Sequence, residues 1–151
     1  MSDPKFVYVT YIRATPEAIW DALTRPEIQR QFWYGVHQES EWKTGASWTM
    51  YMPDGRVADQ GEILEAERPR KIVIKWRNEF RPELKDCGDT RCTYEIVPAG
   101  EVTKLTIVHE ATAAGQAMID AVSQGWPMIL SGLKTLLETG QGLPGGEKAK
   151  A

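Results

Sequence analysis

The sequence predicts an α+β domain in which a curved antiparallel sheet of about seven strands wraps one long C-terminal helix. Three observations carry this. Apolar residues recur with a period of two through most of residues 37–110. Gly- and Pro-containing turns divide that stretch into short segments, which favours antiparallel pairing of neighbours. After Ala113 the period becomes helical and ends in a wide apolar stripe, able to cover one face of the sheet. A sheet curved around a helix leaves room near the helix ends, the expected place for a ligand cavity.

Lys5 to Arg13 (KFVYVTYIR) is rich in β-branched and aromatic residues and reads as the first strand. Thr15 suits a helix N-cap and Pro16 the first helical position, and Ile19, Trp20 and Leu23 then share one face. Pro26 interrupts, and a second short helix runs from Glu27 to about Phe32. Strands follow at His37–Lys43, Ser47–Met52, Arg56–Glu67, Lys71–Asn78, Thr90–Val97 and Val102–Glu110. Thr44-Gly45, Pro53-Asp54-Gly55, Pro69-Arg70 and Pro98-Ala99-Gly100 supply turns. Gly61 inside its strand marks a bulge or a close packing point. Arg81 to Asp89 is polar and reads as a loop. Ala113–Gln124 predicts a short helix and Trp126–Thr139 the long one, with Pro127 in its first turn and Gly140 just past its end. Residues 1–140 are expected to form a single domain, and 141–151 a flexible C-terminal tail.

Composition narrows the function. Eighteen basic and 21 acidic side chains give a net charge of −3, which argues against a surface built for nucleic acid or anionic membranes. No apolar run approaches the roughly 20 residues of a membrane span. The start lacks a basic region followed by an apolar stretch, so a cytoplasmic location is expected. Cys87 and Cys92 are expected to be reduced thiols. His37 and His109 lack zinc-site spacing to them, so no metal is expected. No nucleophile elbow, phosphate loop or zinc helix motif occurs, and no cofactor is expected.

His109 shares the inward parity of Leu105 and Ile107. It reads either as a ligand-orienting or acid–base group on a cavity wall or as a satisfied core histidine. Tyr94 lies on the apolar face of its strand, as a ligand hydrogen-bonding group or a core aromatic. Trp33, Trp48, Trp76 and Trp126, with Met50, Met52 and Met128, supply large, adaptable apolar groups for lining a cavity. Ile74, Ile129 and Leu133 add contact area. Glu110 and Asp120 read as solvated charges, and Ser131-Gly132 as a close-packing pair. Val7, Val9 and Tyr11 face outward on the first strand, a patch that fits a protein partner or a homodimer.

Four blocks carry a family resemblance. They are Ala14-Thr15-Pro16-Glu17-Ala18-Ile19-Trp20-Asp21-Ala22-Leu23-Thr24 with Pro26-Glu27, and Ser40-Glu41-Trp42-Lys43-Thr44-Gly45-Ala46-Ser47-Trp48. Gly61-Glu62-Ile63-Leu64-Glu65 with Pro69-Arg70-Lys71-Ile72 is the third, and Gly125-Trp126-Pro127 through Leu130, Leu133-Lys134 and Leu137-Glu138 the fourth. In this order they resemble the activator-of-heat-shock-protein-ATPase homologue family, stand-alone bacterial type, within the START-like (polyketide cyclase) superfamily. The resemblance spans about residues 5–139 and implies a helix-grip fold with a cavity between sheet and helix. It corresponds only to the C-terminal domain of the eukaryotic co-chaperones that name the family. The expected function is a binding module for an apolar or amphipathic small molecule. The resemblance implies two alternatives: an enzyme of the cyclase, dehydratase or hydrolase kind using His109, and a stress-related, co-chaperone-like interaction module.

Overall fold

The computed structural model describes residues 3–144. The elements follow in the order β1 (Lys5–Ile12), α1 (Pro16–Thr24), α2 (Pro26–Phe32), β2 (His37–Ser40), β3 (Ser47–Tyr51), β4 (Val57–Glu67) and β5 (Lys71–Asn78). Then come α3 (Pro82–Lys85), β6 (Thr90–Ala99), β7 (Val102–Glu110), a 3₁₀ turn (Ala113–Gly115) and α4 (Gln116–Thr139). All seven strands form one sheet in the order β1-β7-β6-β5-β4-β3-β2, antiparallel throughout. The long C-terminal helix packs on it, the mixed α+β helix-grip arrangement expected. No helix among the described residues is long and apolar enough to cross a membrane. Of the tail expected over 141–151, residues 145–151 lie outside the described residues.

Local chemistry sets the elements. The Thr15 hydroxyl accepts the Ala18 N–H at 3.1 Å and caps α1, with Pro16 at its first position. Strand β2 stops at Ser40 rather than Lys43, because the chain then turns through Trp42 and Gly45, both at positive φ. A short helix, α3, occupies part of the segment read as loop.

The C-terminal helix is one 24-residue helix, not two, and Pro127 lies inside it. A proline removes one helical hydrogen bond, a local loss. Against that stands a continuous buried stripe of Met118, Ile119, Trp126, Leu130, Leu133 and Leu136, which runs past the proline. Burial of that stripe overrides the break. At its far end the helix is tied to the sheet. Lys134 Nζ donates to Tyr11 O at 2.6 Å and to Glu138 Oε2 at 2.8 Å, and the same oxygen accepts the Arg13 N–H. Gly132 lets α4 approach α2: a Cβ there would sit 3.2 Å from Phe32 O. Ser131, beside it, is exposed.

The concave face of the sheet reads as rows across the strands. One row is Trp48, Gly61, Trp76 and Thr90, each paired with the next. Gly61 stands between two tryptophans and has no side chain, so the Trp48 and Trp76 rings meet over it at 4.6 Å between centroids. The backbones are close as well: a Cβ on Gly61 would fall 1.6 Å from Lys75 O. Gly61 is thus a close packing point. The Gly61→Ala variant is expected to lose about 3 kcal/mol, roughly 6–12 °C of Tm for a chain of this size, measured by thermal denaturation.

Candidate functional site

Three tryptophans sit in the concavity, and each indole N–H finds a buried acceptor, as an indole in a dry interior must. Trp48 Nε1 donates to Gln38 Oε1 at 2.9 Å, Trp76 Nε1 to Asp59 Oδ2 at 2.8 Å, and Trp126 Nε1 to His109 Nδ1 at 3.2 Å. Gln38 is held by its own backbone N–H, which donates to Gln29 Oε1, while Gln29 Nε2 donates to Leu23 O. These bonds tie α1 and α2 to β2. Gln38 Nε2 and the Tyr94 hydroxyl are buried without a partner among the described residues.

The bonds around His109 fix its tautomer. An indole nitrogen only donates, so Nδ1 accepts and the ring proton is on Nε2. Nε2 then donates to Thr90 Oγ1 at 2.9 Å, and the Thr90 hydroxyl donates to Trp76 O at 2.8 Å. Burial pushes the His109 pKa down to about 3. His109 is therefore a neutral core histidine with both nitrogens engaged, its ring tilted against Trp76 at 5.0 Å between centroids. It offers no free nitrogen for acid–base work.

Between the sheet and the first half of α4 lies a cavity of about 220 Å³. Met50, Asp59, Trp76 and Asn78 form its sheet wall, and Trp33 closes the α2 side. Arg81 and Leu84 stand at α3, while Met118, Ala121, Val122, Gly125, Trp126 and Ile129 line the α4 side. Of the residues singled out in the sequence, the structure brings Trp33, Met50, Trp76, Trp126 and Ile129 together along this cavity. Trp48, Ile74, Tyr94, His109 and Leu133 are fully buried in the core and are not among the cavity walls; Met52 lies just past β3, half-buried. A larger depression of about 580 Å³ opens on the outer face, but its walls include Lys5, Lys75, Asp89, Arg91 and Glu110. That charged, mixed-sign lining is unsuited to an apolar ligand.

Sequence reasoning missed Asp59. Its residue is only 6% exposed. Oδ2 accepts from both Trp76 Nε1 and Asn78 Nδ2, the latter at 3.2 Å. No described side chain or backbone group bonds Oδ1, and Oδ1 is not among the fully buried atoms left without a partner, so it is open to solvent. Asn78 works in two directions: its Oδ1 also accepts the backbone N–H of Phe80 at 3.0 Å and of Arg81 at 2.8 Å. A usable signal existed, since Asp59 shares strand parity with Gly61 and Ile63.

Burial raises the Asp59 pKa to about 6, against the two donors, which lower it. Between its ordinary 3.8 and about 6 the native chain holds a proton that the unfolded chain has lost. The stabilisation from this group is full below 3.8 and is lost as pH rises through about 6. Relative to the parent protein, Asp59→Asn is therefore expected to gain about 2 kcal/mol on going from about pH 4.5 to about pH 7.5. Urea unfolding of both proteins at the two pH values measures it; a difference independent of pH would contradict the shift.

Among curated proteins, none matches the chain significantly in sequence. Solved structures do match in fold. Protein MLL2253 from Mesorhizobium loti is 20% identical at a TM-score of 0.76, over 89% of this chain and 97% of that one. PFC0360w, an HSP90 activator from Plasmodium falciparum, is 23% identical at 0.70, over 89% and 96%. The Aha1 dimer from Colwellia psychrerythraea is 16% identical at 0.74, over 92% and 99%. In sequence, residues 13–138 match the family described as Activator of Hsp90 ATPase homolog 1-like protein. That span holds both helices of the N-terminal half, six of the seven strands and nearly all of α4, so the chain belongs to the Activator of Hsp90 ATPase homolog 1-like family, with its START-like helix-grip fold.

Proposed function

We propose that the protein is a small-molecule binding module, holding an apolar or amphipathic ligand between the sheet and α4. The observation that supports this is the cavity of about 220 Å³ beside Trp33, Trp76 and Trp126. An apolar cavity with a few polar groups converging on it is the ordinary form of a ligand site. Drug-sized ligands occupy roughly 300–1,000 Å³, so the occupant here is smaller, about one ring with a short arm.

Ala121 lines the cavity, and a larger side chain there grows into the open space rather than into packed core. Native mass spectrometry of the protein purified from its own host is expected to show a retained small mass. Ala121→Phe is expected to lose that mass while keeping its Tm within a few degrees. A ligand-free parent protein, or a variant that retains the same mass, would count against the site.

One observation favours a second reading, that of a protein-interaction module. Val7, Val9 and Tyr11 are 51%, 44% and 49% exposed in a line on β1, an edge strand. The similar Colwellia protein is described as a dimer and the similar Plasmodium protein as an HSP90 activator. On this reading the outer face of β1 meets a second copy or a chaperone. Analytical ultracentrifugation checks the homodimer: Val9→Lys is expected to turn a dimer into a monomer, and a monomeric parent protein would refute it.

A further inference from the structure

We propose that the cavity selects a small primary amine with one apolar ring, anchored by its ammonium group on the free oxygen of Asp59. This deepens the binding-module reading and rests on it.

Asp59 brings to the cavity a carboxylate with no cation beside it among the described residues. Buried carboxylates are ordinarily paired or saturated with hydrogen bonds. Asp59 is buried, and its two donors, Trp76 Nε1 and Asn78 Nδ2, both go to Oδ2. Oδ1 takes none among the described residues, and Asp59 belongs to the cavity wall. The nearby cations are committed elsewhere. Arg81 is paired with Glu83 at 2.7 Å, and Lys85 and Arg77 are paired with Glu79. No described ion pair includes Asp59. The cavity therefore presents one carboxylate whose cation the protein does not supply.

The remaining walls fit such a guest. Trp33, Trp76 and Trp126 offer aromatic surface, which attracts an ammonium group as well as an apolar ring. The space suits a single ring and a two-carbon arm. Above about pH 6 Asp59 is ionised and an alkylamine is protonated, so the pair is complementary at neutral pH. The other charged groups facing the carboxylate are Glu79, held by Arg77 and Lys85, and Arg81, held by Glu83. α2, α4 and β3 contribute only uncharged side chains to the walls. A carboxylic acid of the same shape would meet like charge and be excluded.

The test compares three probes of one shape: 2-phenylethylamine, 2-phenylethanol and phenylacetate. Each is titrated into the full chain at about pH 7.5, with tryptophan fluorescence as the readout. The amine is expected to bind about tenfold tighter than the alcohol, and the acid more weakly than either. Asp59→Asn is expected to bring amine and alcohol level. Should that variant fail to fold, the parent protein still decides the matter. Its preference for the amine must collapse below about pH 5, where Asp59 is protonated and neither probe changes charge. Equal binding of amine and alcohol, or an amine preference that survives in Asp59→Asn or at low pH, would overturn the amine assignment and leave the cavity reading standing. Binding of none of the three probes, together with a ligand-free native mass, would overturn both.

Discussion

Three indole N–H groups enclosed in a water-poor concavity set the terms for the rest of this structure. The rings supply much of the bulk between sheet and helix, but each brings a donor that has to be met. Gln38, Asp59 and His109 meet them, one from each of three strands. These three polar residues are thus not scattered chemistry; each meets the N–H of a buried tryptophan. Of the three, Asp59 alone lines the cavity, and its carboxylate has more acceptor sites than one indole and one amide use. That surplus, open to the cavity, marks the candidate site.

The same constraint explains why His109 is passive. An imidazole suits a donor on one side and a hydroxyl on the other, and it fills the gap between Trp126 and Thr90 in its neutral form. Protonating it would place a hydrogen on Nδ1, against the Trp126 N–H that this nitrogen accepts, inside a wall of aromatic rings. Desolvation holds it neutral, and the hydrogen bonds hold its orientation.

Much of the fold was legible in the sequence. Alternation in Lys71–Asn78 and Val102–Glu110 matches the observed strands to the residue, and Thr15-Pro16 marks the start of α1. Pro127 suits a helix's first turn and so divides this segment in two on local grounds, whereas the apolar stripe that continues past it makes one helix. The site was less legible. Residue parity reported correctly that Trp76, Met50 and His109 point inward, but parity does not say whether an inward residue meets a cavity or a neighbour. That depends on distances between strands far apart in the chain. The shifts of register at Met50/Tyr51 and Ile63/Glu65 also interrupt the alternation on either side of Asp59. An acidic residue beside Gln60 in such an interrupted strand looks like one more solvated charge.

Asn78 holds the carboxylate with its amide nitrogen and the turn at Phe80 and Arg81 with its amide oxygen. Floor and rim of the cavity therefore share a single planar group. A displaced rim would free the amide and take a donor from the carboxylate, which raises its affinity for a proton, but it would also admit water, which relieves the larger effect of burial and lowers that affinity. Whatever the balance, the coupling runs both ways: a proton on the carboxylate changes the hold on the rim by the same free energy as the rim changes the hold on the proton.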